Sequence, residues 1–251
     1  MIQKRLKQKV LDIGHRGASG SKPENTNSSF LEAIRLNADV IEFDVHKTKD
    51  NQIVVIHDST VNRTSNGTGK VSSLTLKELK SFNFGTAQNP QTISTLKEAL
   101  QLIGKKATIL VELKNTVKGF EHLALKEIKR IPQHNHIWIH SAYFPILINV
   151  RKLNPNIKLG YIVYFSYFHH FFRNYYKRLS LKYDISFFSI DAIYGNQFFI
   201  QNFIKELQQE KIQVFTWTVN DFMTMNKVIN WGVDGIISNY PGLVKQAIKE
   251  R

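Results

Sequence analysis

The sequence predicts an α/β fold, a (β/α)₈ TIM barrel with a small inserted subdomain after the second strand. Apolar, β-branched runs alternate with helical patterns eight times, and the 251 residues of the chain match the usual length of such a barrel. A third observation is an interval of about 50 residues between the second strand and its helix, where a few residues normally suffice. We therefore expect one domain, 1–251, with residues 46–95 inserted into it.

Each predicted strand is a short apolar run rich in β-branched residues. In chain order these runs are Leu11–His15, Val40–Val45, Thr108–Lys114, Ile137–Ala142, Leu159–Tyr164, Ser186–Asp191, Val214–Val219 and Gly235–Ser238. A helix-like stretch follows each strand, and several of these stretches carry apolar residues at i, i+3 and i+4. They are Ser28–Leu36, Leu96–Ile103, Phe120–Lys129, Pro145–Lys152, Phe168–Leu181, Phe198–Glu210, Phe222–Trp231 and Gly242–Lys249.

The long interval after the second strand has elements of its own. A strand-like run, Ile53–His57, opens it, and a helix-like stretch, Leu76–Phe82, follows glycine-containing turns. An insertion here belongs to a βα loop, and βα loops form the face of a barrel that carries active sites.

Composition restricts both the chemistry and the partners. Because the chain has no cysteine, disulfides, thiolate nucleophiles and cysteine-bound metals are excluded. The 34 Lys and Arg against 20 Asp and Glu give a net charge of +14, which attracts anions such as phosphate esters, nucleic acid or acidic lipid headgroups without choosing among them. No apolar run has the length of a signal peptide or a membrane span, so we expect a cytoplasmic protein.

A histidine and an arginine stand at the end of the first predicted strand, in Ile13-Gly14-His15-Arg16-Gly17-Ala18. The glycines let the backbone turn and let a ligand approach closely. Active sites lie at this end of barrel strands. A turn in which His15 and Arg16 only cap neighbouring carbonyl groups is the structural alternative.

The second predicted strand carries two acidic residues, Glu42 and Asp44, among apolar ones. Because side chains alternate along a strand, the two carboxylates project to the same side. Burying them together is unfavourable unless a cation neutralises them, so we expect a hard divalent ion. An exposed edge strand with solvated acids is the alternative, which the apolar flanks disfavour.

The third predicted strand ends in Glu112-Leu113-Lys114, which places a third carboxylate and a cation on one face. An internal salt bridge would explain this pair without any function. Beside Glu42 and Asp44 we favour a third metal ligand, because three carboxylates leave room for waters and phosphate oxygens, as Mg²⁺ and Ca²⁺ sites do.

The inserted strand ends in Val55-Ile56-His57-Asp58, which brings a second histidine to the rim that carries His15. Since the unperturbed pKa of imidazole is about 6.5, one histidine can accept a proton while the other donates one. Histidines used only for packing or as turn anchors are the alternative.

These residues resemble one known family, the glycerophosphodiester phosphodiesterases. The motifs that carry the resemblance are His15-Arg16-Gly17-Ala18, Pro23-Glu24-Asn25-Thr26, Glu42-Phe43-Asp44-Val45, Thr48-Lys49-Asp50, His57-Asp58, Arg63-Thr64, Gly67-Thr68-Gly69, Glu112-Leu113-Lys114, Trp217-Thr218-Val219-Asn220 and Asp234-Gly235-Ile236-Ile237. They follow one another from near the start to near the end of the chain, which is far more specific than any single short motif.

The resemblance implies metal-dependent hydrolysis of glycerophosphodiesters to an alcohol and glycerol 3-phosphate. It implies that His15 and His57 are the acid–base pair. The metal ligands would be Glu42, Asp44 and Glu112, which would hold one divalent cation, Mg²⁺ or Ca²⁺, with Mn²⁺ as a further candidate.

The resemblance also implies roles around the substrate. Arg16 and Lys114 would hold phosphate charge, and Trp217 would pack against the glycerol moiety. Glu24 and Asn25 would support the site. The substrate's own glycerol hydroxyl would attack phosphorus through a cyclic phosphate, and direct attack by water is the alternative.

Three positions depart from the family pattern. Ser238-Asn239-Tyr240-Pro241 stands where an aspartate commonly precedes Tyr-Pro, which removes a negative charge near the catalytic rim and bears on substrate choice. Asp50-Asn51 replaces an Asp-Gly turn, whose left-handed conformation asparagine also adopts. Ile93-Ser94-Thr95-Leu96 lacks the usual proline.

Residues 161–183 are unusually aromatic and basic. A helix that packs on the barrel with a solvated basic edge explains this composition, and we prefer it because aromatic residues at helical spacing usually belong to a core. The alternative is a βα loop and helix that overhang the site and grip a lipid or make peripheral contact with an anionic membrane.

Two other functions stay open. A lysophospholipase D-like enzyme or a glycerophosphate-polymer hydrolase keeps the site and changes the substrate, which the net charge and the aromatic segment would suit. A non-catalytic anion-binding barrel is a different class, and the intact set of acids and histidines argues against it. We expect a small-molecule substrate and no nucleic acid partner.

Overall fold

The computed structural model describes residues 10–114, 119–132, 136–164, 170–191 and 197–250. The strands of the sheet are β1 Leu11–Gly14, β2 Val40–Lys47, β3 Ile53–Val55, β4 Thr108–Leu113, β5 Ile137–Ser141, β6 Lys158–Val163, β7 Phe187–Ile190, β8 Gln213–Thr216 and β9 Gly235–Ser238. Their order is β1-β9-β8-β7-β6-β5-β4-β2-β3, and a further pairing of β1 with β2 closes the sheet. All pairs are parallel except β2 with β3, so the predicted barrel is confirmed.

Helices follow the strands as predicted, and their ends agree with the sequence patterns to within two residues. They are α1 Asn27–Arg35, α2 Leu76–Lys80, α3 Leu96–Ile103, α4 Phe120–Lys129, α5 Phe144–Leu153, α6 His170–Lys182, α7 Gln197–Gln209, α8 Phe222–Asn230 and α9 Leu243–Lys249. Threonine caps explain three of the starts, because the hydroxyl groups of Thr26, Thr75 and Thr95 accept from the backbone N–H three residues later.

Several strands end earlier than the apolar runs predicted, and both rim histidines therefore lie just beyond a strand. Arg16 and Gly17 have φ values of 53° and 82°, which end the extended backbone of β1 at Gly14. β3 likewise ends two residues before His57. The seventh barrel strand, β8, expected to reach Val219, ends at Thr216.

Aromatic and aliphatic side chains fill the lower interior of the barrel. We call this set the barrel floor; its buried members are Ile13, Val40, Leu110, Phe187, Phe215 and Ile237, with Leu11, Trp138 and Trp217 packed against them. Gly160 makes room for it, since a Cβ atom there would lie 2.0 Å from the ring of Phe187. A larger cluster fills the space between the strands and the surrounding helices.

The residues between β2 and α3 form a smaller cluster of their own. It contains Val54, Ile56, Val61, Val71, Leu79, Phe84 and Ile93. An antiparallel bridge from Val54 to Thr95 ties the cluster to the start of α3. Treating 46–95 as a separate subdomain within one 1–251 domain stays a prediction.

The aromatic segment 161–183 is partly buried. Tyr161 packs edge-on against Phe144 and Phe188, and the ring of Tyr176 lies 4.9 Å from that of Tyr161. These contacts favour the packing helix over the membrane surface, although Tyr175 is 56% exposed. Residues 165–169 of this segment lie outside the described residues. Among the residues described, no helix has both the length and the apolar composition that a membrane crossing requires.

Candidate active site

Because side chains alternate along a strand, a row of polar side chains on the inner face of β2 follows the barrel floor. On β2, Val40 belongs to the floor, and Glu42, Asp44 and His46 follow it at intervals of two residues. All three polar residues are buried. The sequence pattern therefore correctly anticipated that Glu42 and Asp44 share the inner face.

The neighbouring strands add to this row at matching heights. Asp44 is the register partner of Glu112 on β4, and Glu112 is the partner of His140 on β5. Three adjacent strands thus present two carboxylates and an imidazole side by side. Both Glu112 and His140 are buried.

A cleft of about 390 Å³ opens above these residues at the carboxyl ends of the strands. Its lining comprises His15, Arg16, Glu42, His57, Glu112, Lys114, His140, Ile162, Tyr164, Trp217 and Ile237. Seven of the ten predicted site residues therefore meet around one cavity. Asp44, Glu24 and Asn25 do not line it, and they bond to residues that do or to one another.

His57 enters the cleft from the segment after β3. Its Nδ1 donates to Asp58 Oδ1 at 2.6 Å, so Nε2 is the nitrogen left for a ligand. Its backbone carbonyl accepts from His46 Nε2 at 2.9 Å. Burial lowers the pKa of His57, while Asp44 and the hydrogen bond to Asp58 act in the opposite direction.

His15 has a neutral partner instead of a carboxylate. Its Nδ1 donates to Asn239 Oδ1 at 2.7 Å, and Ser19 Oγ donates to the same oxygen at 3.0 Å. The backbone N–H of Asn239 is fixed in turn by Asn220 Oδ1. Burial lowers the pKa of His15, opposed by the charge of Glu42.

The buried carboxylates differ in how their charge is compensated. Burial raises the pKa values of Glu42 and Glu112 to about 7, and the charge of Asp44 adds to the shift of each. For Asp44 itself, burial acts upward too, but Lys114 and Arg16 hold its pKa well below the usual range. Asp44 is thus already neutralised by cationic side chains. The ionised forms of Glu42 and Glu112 would be stabilised by a further cation.

Glu42, Glu112 and His140 form a group suited to a metal ion. One donor atom from each lies within 4.8 Å of the others. Nε2 of His140 is buried, has no hydrogen-bond partner within the described part of the chain, and lies 3.7 Å from Glu42 Oε1. Because burial lowers the pKa of His140 to about 4, its imidazole is neutral and can donate a lone pair. These residues fit a divalent cation.

Asp44, the remaining predicted metal ligand, is engaged differently. Its Oδ1 lies 3.2 Å from Lys114 Nζ, and its Oδ2 accepts from Asn25 Nδ2 at 2.9 Å and lies 3.4 Å from Arg16 Nε. Lys114 Nζ also lies 2.8 Å from Glu112 Oε1. A role for Asp44 as a ligand stays a prediction.

Arg16 is held from two sides at the mouth of the cleft. Its backbone N–H donates to Glu42 Oε2 at 2.9 Å, and its Nη1 donates to Glu24 Oε1 at 2.8 Å. With Lys114 it makes the wall beside the carboxylates cationic, as an anionic substrate requires.

The opposite wall is apolar. Tyr164 stands edge-on to Trp217 with ring centroids 5.3 Å apart, beside Ile162 and Ile237. Nε1 of Trp217 is buried and has no hydrogen-bond partner among the described residues. Trp217 thus presents a ring and an uncommitted donor near the cleft.

Sequence reasoning missed His140, His46 and Tyr164. Parity along the strands was the available signal for the histidines, since His46 continues the spacing of Glu42 and Asp44. His140 stands two residues after Trp138, in a run that otherwise reads as an ordinary core strand.

Comparison with known proteins agrees with this site. The profile of the Glycerophosphoryl diester phosphodiesterase family matches residues 15–243. A glycerophosphodiester phosphodiesterase from Caldanaerobacter subterraneus subsp. tengcongensis is 34% identical over 241 residues, which covers 93% of this chain and 95% of that protein. A Bacillus subtilis (strain 168) protein of the same name is 29% identical over 266 residues, with coverage of 96% and 87%.

Solved structures show the same fold. A phosphodiesterase from Oleispira antarctica, in complex with the product sn-glycerol-3-phosphate, aligns with a TM-score of 0.84 and 27% identity, over 94% of this chain and 96% of that chain. The glycerophosphodiester phosphodiesterase of Thermotoga maritima aligns with a TM-score of 0.76 and 23% identity, over 97% and 99% of the two chains.

The resemblance inferred from the motifs is confirmed by matches that span nearly the whole chain. A cationic wall is suited to bind the anionic phosphate of a diester. The chain belongs to the glycerophosphoryl diester phosphodiesterase family and is a phosphoric diester hydrolase.

Proposed function

We propose that the protein hydrolyses glycerophosphodiesters to an alcohol and glycerol 3-phosphate, with a divalent cation and with His15 and His57 as the acid–base pair. The observation that supports the proposal is that one cleft is lined by both imidazoles, by the carboxylates of Glu42 and Glu112 and by the cationic side chains of Arg16 and Lys114. The Oleispira antarctica enzyme, whose structure holds sn-glycerol-3-phosphate, supports this product class.

The partners of the two histidines support a division of labour. Burial lowers the pKa of both imidazoles, but Asp58 is a charged acceptor that opposes this shift in His57, whereas the acceptor for His15, Asn239, is neutral. In the proposed reaction, His15 Nε2 takes the proton of the attacking hydroxyl as its oxygen bonds to phosphorus. His57 Nε2 gives a proton to the alcohol oxygen as the phosphorus–oxygen bond breaks. In each histidine, Nε2 is the ring nitrogen that is not hydrogen-bonded to the supporting residue, Asn239 or Asp58.

The nucleophile is either the substrate's own glycerol hydroxyl, which forms a cyclic phosphate that water then opens, or water itself. Time-resolved ³¹P NMR during turnover separates these routes. Transient cyclic phosphate supports attack by the glycerol hydroxyl, and direct growth of the glycerol 3-phosphate signal under single-turnover conditions supports attack by water.

For the cation, we propose Glu42 and Glu112 as ligands, with Asp44 from the sequence prediction and His140 from the geometry as the further donors. Mg²⁺ or Ca²⁺ suits the carboxylates, and Mn²⁺ accepts oxygen and imidazole ligands together. When bound, such an ion would stabilise negative charge on the phosphate oxygens.

The remaining side chains bind and orient the substrate. Arg16 and Lys114 would pair with phosphate oxygens, and the ring of Trp217 would pack against the glycerol carbons. Glu24 and Asn25 support the site indirectly, by holding Arg16 and Asp44.

The substrate range and the membrane contact are separate parts of the proposal. The apolar wall at Tyr164 and Trp217 favours a second candidate, a lysophospholipase D-like activity, since it could contact a substrate with an acyl chain. A glycerophosphate polymer is the other substrate that the +14 charge suits. Peripheral contact of residues 161–183 with an anionic membrane, in a cytoplasmic protein, stays a prediction.

One assay series tests the function. Purified protein is incubated with glycerophosphocholine, lysophosphatidylcholine and a glycerophosphate polymer, first with EDTA and then with Mg²⁺, Ca²⁺ or Mn²⁺ restored. We expect metal-dependent release of choline and glycerol 3-phosphate from glycerophosphocholine. Loss of about 10²–10⁴-fold in kcat is expected for His57→Ala with an unchanged circular dichroism spectrum, and His122→Ala, an exposed histidine on α4, is the control.

Each other outcome has a defined meaning. Preferred turnover of either larger substrate selects that candidate, and binding without turnover under any metal supports the non-catalytic barrel. Near-normal turnover by His57→Ala would contradict the acid–base assignment.

A further inference from the structure

A single guanidinium group connects the two sides of the active site from outside the cleft. Arg63 lies after β3, in the segment that also carries His57. Its Nε and Nη2 donate to Asp58 Oδ2 and Oδ1 at 2.8 and 3.1 Å. Its Nη1 and Nη2 donate to Glu24 Oε2 and Oε1 at 2.8 and 2.7 Å. Arg63 thus binds two carboxylates, each through both of its oxygens.

Each of these carboxylates holds a residue of the cleft. Asp58 Oδ1 accepts from His57 Nδ1, and Glu24 Oε1 accepts from Arg16 Nη1. The result is a row of groups, Arg16, Glu24, Arg63, Asp58 and His57, in which acids alternate with bases. Arg63 is its middle member and does not line the cleft.

We propose that Arg63 is a positioning residue for the reaction: it fixes the Asp58 carboxylate so that His57 keeps its proton on Nδ1 and turns Nε2 toward the substrate. The inference rests on the proposed function, because it presumes proton transfer by His57.

Asp58 alone is poorly suited to hold the imidazole. It is the next residue in the chain after His57 and is partly exposed, with 27% of its side chain accessible. The terminal torsion of an aspartate is broad, so a lone carboxylate would sample many orientations. A planar guanidinium that meets both oxygens restricts that torsion, which a lysine ammonium cannot do in the same way.

Glu24 anchors Arg63 to the barrel. It belongs to the stretch between β1 and α1, on the barrel side of the site, and it holds the remaining donors of Arg63. The position of His57 is therefore fixed by contacts to the barrel and to Arg16, and not only by the inserted segment.

The test is Arg63→Gln, assayed on glycerophosphocholine with the restoring metal present. A lateral displacement of about 1 Å in a reacting group can cost on the order of 100-fold in rate, so we expect at least about a tenfold fall in kcat. KM should stay within about twofold, because Arg63 does not touch the substrate. The matched control is Arg130→Gln, which removes an exposed Arg–Glu pair on α4 and should leave kcat and KM at wild-type values.

Asp58→Asn separates positioning from a general structural effect. If Arg63 acts through Asp58, the Arg63→Gln/Asp58→Asn double variant should have nearly the kcat of Asp58→Asn alone. Multiplication of the two single losses in the double variant would overturn the inference. So would Arg63→Gln with at least half the wild-type kcat.

Two further variants keep the result interpretable. If Arg63→Gln unfolds at the assay temperature, Arg63→Lys replaces it: the same loss of kcat is expected, and full activity would overturn the inference. His57→Ala identifies the failure of the parent proposal. An active His57→Ala contradicts the proposed function, whereas an inactive His57→Ala with an active Arg63→Gln contradicts only the role of Arg63.

Discussion

His15 Nδ1 and Asn239 Oδ1 are joined by a 2.7 Å hydrogen bond across the ends of β1 and β9. The residue that departs from the family pattern is therefore the supporting partner of a proposed catalytic histidine. Because the acceptor is a neutral amide oxygen, it holds the proton on Nδ1 of His15 without placing another buried charge beside the imidazole.

Asn239→Asp should move the pH profile of the enzyme. A carboxylate beside Nδ1 raises the pKa of His15, which burial now lowers, so the imidazolium form persists to higher pH. If His15 is the base, the acid limb of kcat/KM should shift upward and the rate at neutral pH should fall. The measurement is kcat/KM across a pH series, with Asn239→Ala as a control that removes the bond without adding charge. An unshifted limb in Asn239→Asp would contradict the role of His15.

His140→Ala should weaken metal binding. Its Nε2 lies in the donor group with Glu42 and Glu112 and has no hydrogen-bond partner in the ranges that the structure describes. Mutation of a residue that only orients metal ligands commonly costs about 10–100-fold in affinity, so loss of a ligand should cost at least as much. Calorimetric titration of EDTA-stripped protein with Mn²⁺ measures this, and His122→Ala, on the exposed face of α4, should bind as wild type does. Equal affinities in all three proteins would exclude His140 as a ligand.

Metal affinity should rise with pH up to about 7 and then level off. The pKa values of Glu42 and Glu112 are raised to about 7, chiefly by burial, so these acids are partly protonated in the metal-free protein. A cation must displace those protons, and binding therefore releases them into the buffer. Titrations in buffers of different ionisation enthalpy count the protons released. Proton-neutral binding at pH 6 would show that the carboxylates are already ionised.

Asp12→Asn should flatten the pH dependence of stability. Asp12, on β1, is buried, and its Oδ2 accepts from the backbone N–H of Gly242, while its Oδ1 has no hydrogen-bond partner among the described residues. Burial raises its pKa from 3.8 to about 6. A folded-state pKa above the unfolded one means that this group's contribution is complete below pH 3.8 and is lost as the pH rises through about 6.

The asparagine variant keeps an oxygen for Gly242 and has no titration, so it should lose less stability than wild type between pH 4 and pH 7. Urea unfolding at several pH values measures the difference. Parallel curves for the two proteins would contradict the raised pKa.

The barrel could be predicted because its signals are local. Each apolar run is long enough to identify a strand, and the parity of Glu42 and Asp44 predicts the face on which both lie. Motif order along the chain brought His15 and His57 to one rim, and the described structure places both on one cleft.

The pairings within the site could not be predicted, because they depend on distances between side chains remote in sequence. The spacing of Glu112 and Lys114 indicates their ion pair, but nothing near Lys114 indicates that it also contacts Asp44, or that Asp44 is thereby already neutralised. Asn239 and His15 are separated by 224 positions, so their hydrogen bond appears only when β9 closes on β1. His140 belongs to none of the family motifs, and the run that contains it predicts only a core strand.

The packing of Phe187 and Phe215 below the carboxylates closes the barrel at one end, within the residues described. Substrate and products then enter and leave on the same side of the barrel, so a product must leave before the next substrate can bind. The alcohol, the phosphorylated product and water must exchange through the open side of the cleft, so a slowly departing product competes directly with the next substrate. In many enzymes product release, and not bond cleavage, limits turnover.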